Sequence, residues 1–352
     1  MNDDQYEFLR RLVETTGPSG YETETQAVWR ERVAGVASDI KNDAVGNSIA
    51  VLNPGGSPRI MLDAHIDEIG FIVKYIDDDG FLYWSPIGGF DPSTLPGNRV
   101  SILGKNGPVL GVMGRKPIHL MEPDERKQAP ELKKMWIDIG VRNRAEAEAL
   151  VEVGSAGGRA HGMQRLQGNV VTANSMDDRV GSYVIAETLL ALGQAGPTAA
   201  VYAASSTQEE IGMRGARVSA YDTDAEIGLA VEVTWTSDHP HAPKSELGDV
   251  RVGAGPVLTC GANTNPRIFR RLVEAAKAEG IAYQVDAEAG GTPTDQNVMQ
   301  MSRSGMATGL ISVPTRYLHT ASEVVSLDDM DATVRLITRF VIDLEDGLDL
   351  AP

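Results

Sequence analysis

The sequence has one cysteine, Cys260, among 352 residues. An internal disulfide is therefore excluded, which suits a reducing compartment and leads to the expectation of a cytoplasmic protein. Aromatic residues make up only 5%, and Trp84, Trp136 and Trp235 are scattered. No apolar run approaches the ~20 residues that cross a bilayer, so no membrane partner is expected. Basic residues are outnumbered 32 to 49 by acidic ones, for a net charge of −17. Such a surface repels phosphate backbones, and nucleic acid is not an expected partner. The opening Met1-Asn2-Asp3-Asp4 lacks the basic start and apolar core of a secretory signal. Histidines are few: His65, His119, His161, His239, His241 and His319. Any histidine metal site must draw on those six.

What is present reads as a soluble globular chain, with 42% hydrophobic and 23% charged residues. The length allows one large domain or two ordinary ones. Phe8, Leu9, Leu12 and Val13 share one face of a helix over 5–15, which Gly17-Pro18-Ser19-Gly20 ends. A second helix covers 22–35. Strands are predicted at 49–52, at 59–64 running into His65, at 169–172, 199–204, 227–233 and 309–313. Helices are predicted at 179–192 and at 266–279, the latter with Pro266 near its first position and Gly280 beyond its end. Asp295 is expected to cap a helix through Ser302, and Ser326 to cap the last helix. Alternation of this kind predicts an α/β fold with a mixed, largely parallel sheet flanked by helices. Residues from about 70 to 166 differ. Turn signals such as Asp77-Asp78-Asp79-Gly80, Pro96-Gly97 and Asn106-Gly107-Pro108 separate short apolar runs. That pattern predicts a small β-barrel or sandwich inserted after the His65 strand. The division expected is 1–68 with 167–352 as one domain, and 69–166 as the insert.

In open α/β sheets, ligand sites form beyond the carboxyl ends of the strands. His65-Ile66-Asp67-Glu68, Asp177-Asp178, Glu209-Glu210, Glu232 and His319 all fall at or near such ends. Each has a plain alternative. His65 and Asp67 can satisfy each other locally. Asp177-Asp178 can be a charged helix start, Glu209-Glu210 a solvated pair and His319 a packed side chain. Glu232 is harder to dismiss, because a carboxylate inside an apolar run needs a cation or strong hydrogen bonds. Together these residues fit a carboxylate-bridged pair of divalent ions, with one carboxylate left over as general base. His239 and His241 read as a solvent-facing loop, Trp235 and Tyr317 as wall or core, and Cys260 as a small packed residue.

Four stretches resemble a known family. Ala64-His65-x-Asp67-Glu68-Ile69-Gly70-Phe71, Met176-Asp177-Asp178-Arg179-Val180-Gly181, Gln208-Glu209-Glu210-Ile211-Gly212 and Pro314-x-Arg316-Tyr317-Leu318-His319 are similar, in order, to motifs of the dinuclear-metal aminopeptidases of metallopeptidase family 42. That family includes glutamyl and deblocking aminopeptidases and the tetrahedral TET peptidases. The resemblance implies a zinc-exopeptidase-like fold with a PDZ-like insert that dimerises, and dimers that assemble into a hollow dodecamer. It implies Asp177 as bridge between two metals, His65 and Glu232 at one, Glu210 and His319 at the other. Glu209 is implied as general base and Asp67 as the residue orienting His65. Zinc is the implied ion, with cobalt and manganese as alternatives, and peptides are the implied substrates. The chain departs from the family at Glu232, where relatives usually carry aspartate. A second departure is Gly290-Gly291-Thr292-Pro293-Thr294-Asp295, where relatives tend to have a tighter Gly-Thr-Asp. Three alternatives remain at this point: deacylation of N-acyl amino acids on the same metal pair, a glycoside hydrolase using Glu209 and Glu210, and a metal-binding scaffold impaired through Glu232. The glycosidase needs carboxylates facing each other across a sugar, whereas neighbours on an extended strand point to opposite faces.

Overall fold

The computed structural model describes residues 1–352. Helix α1 (Asp3–Glu14) starts at a reciprocal cap: Gln5 N–H donates to the Asn2 side chain, and Asn2 N–H donates to the Gln5 side chain. It buries the predicted stripe Phe8, Leu9, Leu12 and Val13. Helix α2 (Thr23–Val33) places Trp29 in the core, where its indole N–H donates to the Ser182 carbonyl at 2.9 Å. No helix is long and apolar enough to cross a membrane.

The central sheet has eight strands: β1 (Asp39–Asn42), β2 (Ser48–Leu52), β3 (Arg59–His65), β4 (Ala200–Ser206), β5 (Ile227–Trp235), β6 (Val257–Gly261), β7 (Gln284–Glu288) and β8 (Ala307–Thr315). Their order is β1-β2-β4-β3-β5-β8-β6-β7. The block β4-β3-β5-β8 is parallel throughout, and β6 runs antiparallel to β8. β3 and β5 are buried on both faces, which is why they read as continuous apolar runs rather than alternating ones. Helix α3 (Met176–Ala195) packs against this block and is apolar around most of its circumference. Helices α4 (Arg214–Thr223), α5 (Pro266–Ala278) and α6 (Leu327–Ile342) complete the layers. Ser326 caps α6 by accepting from the N–H groups of Asp328 and Asp329.

The expected β-rich insert is a closed six-stranded barrel, formed by Gly70–Ile76, Leu82–Ile87, Arg99–Gly104, Gly107–Gly114, Trp136–Asp138 and Ala156–Arg159. Its core, including Phe71, Val73, Leu82, Val100, Ile102 and Ile137, shares no residue with the core of the α/β part.

Three details differ from the sequence reading. The strand predicted at 169–172, observed at Val170–Ala173, belongs to a separate small sheet with Gln164–Arg165 and Glu323–Ser326. β6 and β7 were not anticipated. β7 has one large apolar residue, Val285, and that residue faces solvent (52% exposed), so its pattern gives no inward apolar signal. Asp295 precedes a single turn, Gln296–Met299, rather than a helix reaching Ser302, and its side chain makes no capping hydrogen bond.

One buried cation ties the layers together. Arg179, fully buried on α3, donates to the carbonyls of Leu12 (2.7 Å), Ile66 (3.2 Å) and Thr15, and pairs with buried Glu68 at 3.1 Å. The N-terminal helix, the exit from β3 and the start of α3 are thus held by one guanidinium. Arg179→Met should leave Glu68 without its cationic partner and these carbonyls without the guanidinium donor, and cost about 3–5 kcal/mol. Chemical denaturation checks this, and an unchanged midpoint would contradict it.

Candidate metal centre

β3 delivers His65 at its last position. The parallel neighbour β4 ends at Ser206, and the following turn carries Glu209 and Glu210. Glu232 lies inside β5, opposite Ser312 of β8, rather than at a strand end. Asp177 and Asp178 enter at the first residues of α3, not from the central sheet. His319 follows β8 on a tight loop in which Tyr317 and His319 both have φ near +60°. Arg316 anchors that loop to Asp238, with Nε 2.8 Å from Oδ1.

These segments bring the candidate residues into one cleft of about 440 Å³. His65 Nε2 lies 3.2 Å from Asp177 Oδ1, 3.7 Å from Glu232 Oε2 and 4.0 Å from Glu209 Oε2. His319 Nε2 lies 3.2 Å from Asp177 Oδ2 and 3.4 Å from Glu210 Oε1. Asp177 therefore turns one oxygen to each imidazole. His319 Nδ1 lies 3.1 Å from the Gly89 carbonyl, which only accepts, so in the neutral ring Nε2 keeps the free lone pair.

Asp67 sits 3.4 Å from His65 Nδ1, yet that nitrogen has no hydrogen-bond partner. The Asp67 carboxylate is instead occupied by Ser19 Oγ–H at 2.6 Å and by the N–H groups of Glu209 (3.0 Å) and Glu210 (3.2 Å). Its contact with His65 is electrostatic, and its directional bonds hold the Glu209-Glu210 turn.

Three acids of the centre were given no role of their own in it from the sequence. Asp178 is fully buried and clusters with His65 and Glu232. An added Cβ on Gly181 would fall 2.3 Å from its Oδ2, so glycine makes room for it. Glu323 accepts from the N–H groups of His319 (2.7 Å) and Asp177 (3.2 Å), fixing the backbone of both. Asp295 donates its N–H to Glu232 at 3.3 Å, while neither of its own buried oxygens has a hydrogen-bond partner. Asp178 stood within the quoted motif, next to Asp177; Glu323 and Asp295 carried no local signal of a buried role. His239 and His241 lie apart from the cleft, and Trp235 lines it while half exposed.

The electrostatics test whether metal fits. Burial raises the carboxyl pKa of Asp178 and Glu232 well above the ordinary range, with neighbouring carboxylates adding to it. Burial pushes Glu209 up to about 8, against the pull of His65, and also raises Glu210. Asp177 goes the other way: burial opposes its charge, but the two imidazoles outweigh it and hold the pKa low. Asp177 and Glu210 push His319 up to about 11. Carboxylates this crowded and this buried call for cations, and imidazole nitrogen with carboxylate oxygen is a donor set that divalent ions accept. The residues fit a metal centre.

A mixed sheet with a histidine–carboxylate cluster at the exits of its parallel strands defines a metal-dependent hydrolase. Residues 46–336 match the family described as M42 glutamyl aminopeptidase. The lysyl aminopeptidase of Pyrococcus furiosus is 34% identical, over 99% of both chains. The solved TET aminopeptidase of a marine sediment Thaumarchaeota archaeon superposes with a TM-score of 0.93 at 32% identity, covering 98% of this chain and 97% of that one. The TET1 peptidase of Pyrococcus horikoshii, described as assembling into a tetrahedron or a large octahedral shell, gives 0.87 at 29% identity, covering 97% and 100%. The chain belongs to the M42 glutamyl aminopeptidase family, and it is a metal-dependent aminopeptidase.

The shifts fix the sign of a pH effect. Glu209 and Glu323 rise from 4.5 to about 8, so the folded chain binds their protons more tightly than the unfolded one. Their contribution is full below 4.5 and is lost as pH climbs toward 8. The low pKa values of Asp67 and Asp177 act only at more acid pH. Chelator-treated protein should therefore lose thermal stability between pH 4.5 and about 8, and added zinc should restore most at the upper end. Melting temperatures that stay flat over this window would contradict the electrostatic account.

Proposed function

We propose that the chain removes N-terminal residues from peptides with two divalent ions held by His65, Asp177, Glu210, Glu232 and His319, and with Glu209 as general base. The observation that carries this reading is the placement of Asp177 between two imidazoles with Glu209 beside them, paired with no lysine or arginine. Asp177, with one oxygen toward each imidazole, would be shared by the two ions, His65 and Glu232 would hold one, and Glu210 and His319 would hold the other. Zinc suits this donor set, and cobalt or manganese are also accepted. Bound there, such ions polarise the scissile carbonyl and lower the pKa of water. Glu209 takes the proton of the attacking water and gives it to the leaving amine, a task for which a raised carboxyl pKa is suited. Asp67 holds Glu209 and Glu210 by their backbone. Glu232 is one methylene longer than the aspartate that the family resemblance implies, and from within β5 its Oε2 still comes within 3.7 Å of His65 Nε2.

The division into 1–68 with 167–352 as catalytic domain and 69–166 as dimerisation domain is part of the same proposal. It is supported by the separate barrel core and by Leu110, Ile118 and Leu120 on that side, each 60–70% exposed. The tetrahedron described for the P. horikoshii relative, solved also as a dodecamer, supports assembly of such dimers into a dodecamer. The lone cysteine supports a cytoplasmic setting.

Glu209→Gln should keep its metal, read by elemental analysis, while turnover of an aminoacyl substrate falls roughly 10²-fold or more. Full activity in that variant would remove Glu209 from its role. Comparison of a free-amine substrate with its acetylated twin separates this reading from N-acyl deacylation: only the free amine should be cleaved.

A further inference from the structure

β7 is an edge strand of the central sheet, and its polarity is inverted. Val285 faces solvent, while Asp286 and Glu288 are half-buried and line the metal cleft. The register shows how they stand to the metal centre. Asp286 pairs with Thr259 on β6, Thr259 with Leu310 on β8, and Leu310 with Ala230 on β5, in the row next to Glu232 on that face. The cleft floor thus spans three strand spacings, roughly 14 Å at about 4.8 Å each, from the strand of Glu232 to that of Asp286.

The chemistry changes along that floor. Leu310 and Leu318 offer apolar surface, and Trp235 forms part of the wall. Thr259 and Ser312 are 4% and 2% exposed, both line the cleft, and neither hydroxyl has a hydrogen-bond partner in the protein. At the far side stand the two carboxylates. Asp286 Oδ1 accepts only from Ala287 N–H (2.8 Å), and Glu288 Oε1 only from Gly290 N–H (3.0 Å). No lysine or arginine lines the cleft. Unlike the acids around His65, these two are remote from the candidate metal ligands, so a metal at the centre does not account for them.

We infer that Asp286 and Glu288 form the end wall of the pocket for the peptide's first side chain and select lysine or arginine there. The inference rests on the aminopeptidase reading, which puts the substrate's amine at the metal centre. From that point a lysine lays its four-carbon stem along Leu310 and Leu318 and brings its ammonium to the carboxylates. The two unpartnered hydroxyls lie along the path. A glutamate side chain would meet like charge at the same wall. The selectivity is therefore for basic residues, in contrast to the glutamyl specificity in the family's description.

Two measurements test this. The first is hydrolysis of lysyl, norleucyl and glutamyl 4-nitroanilides by the metal-loaded enzyme. The second is calorimetric binding of free L-lysine and L-norleucine, which needs no turnover. Lysyl should be the best substrate and glutamyl the worst, with the lysyl preference weakening as salt is raised. Asp286→Asn and Glu288→Gln should each lower the lysyl-to-norleucyl ratio of kcat/KM about tenfold, mainly through KM. Asp286→Lys combined with Glu288→Lys should turn the preference toward glutamyl. Cleavage with norleucyl favoured, or a ratio that neither neutral variant moves, overturns the pocket assignment and leaves the aminopeptidase reading standing. Absence of cleavage together with tighter binding of lysine than norleucine overturns the aminopeptidase reading and supports the pocket. Absence of both overturns both.

Discussion

Asp177 stands between His65 and His319 with one oxygen 3.2 Å from each, and the neighbouring structure serves to hold that carboxylate where it is. Its backbone N–H goes to Glu323, which also receives the N–H of His319. Two residues on, Arg179 locks the start of α3 to the exit of β3 and to the N-terminal helix. The outcome is a rigid frame in which several like charges are kept close. Folding such a frame is unfavourable unless protons or cations neutralise it, and the raised pKa values of Glu209, Glu210 and Glu232 express that cost. A site that is costly when empty of positive charge and rigid in shape binds cations strongly, because little is lost to reorganisation on binding.

The supporting acids refine the division of labour. Asp67 reads naturally as a partner for His65, but its directional bonds go to Ser19 and to the backbone of Glu209 and Glu210. It sets the conformation of the turn that carries both a candidate base and a candidate ligand. Asp63 and Asp295 form a second layer below the centre. Asp63 accepts from Ser206 Oγ–H at 2.5 Å and is raised to about 6 by burial, while Asp295 is raised by burial and by Asp63. Two facing buried carboxyls favour sharing a proton over carrying two charges. In that state Asp295 still presents its N–H to Glu232, and so helps to orient that carboxyl group.

Much of this was legible in the sequence, for definable reasons. β3 and β5 announce themselves because burial on both faces produces unbroken apolar runs. The barrel is visible through its turn residues. His65, Glu209, Glu210 and His319 were found because they follow such runs, and Glu232 because a charge inside one is conspicuous. What was not legible depends on partners far away in the chain. Glu323 looks like an ordinary strand acid until the N–H groups of residues 177 and 319 are brought to it. The middle strand of the small sheet, Val170–Ala173, resembles any other strand, so the origin of Asp177 outside the central sheet could not be read. β7 escaped because its acids face inward to a cleft and its valine faces water. That inversion reverses the usual signal, and it marks the strand as functional.

The barrel also reaches the metal cleft. Gly89, on the segment after the barrel strand Leu82–Ile87, offers its carbonyl to His319 Nδ1, and Arg159, at the end of the strand Ala156–Arg159, donates to the His319 carbonyl at 2.8 Å. Arg159 also stacks on Phe90, with its guanidinium 4.8 Å from the ring centroid. One imidazole of the centre is therefore gripped from the insert and the other from the sheet. His65 is buried in the α/β core, whereas the His319 side chain is 39% exposed and sits on a loop with strained backbone. A ligand so placed needs external support to hold its geometry. That support comes from two directions: the barrel holds the ring and the carbonyl of His319 through Gly89 and Arg159, and Glu323 holds its N–H together with that of Asp177.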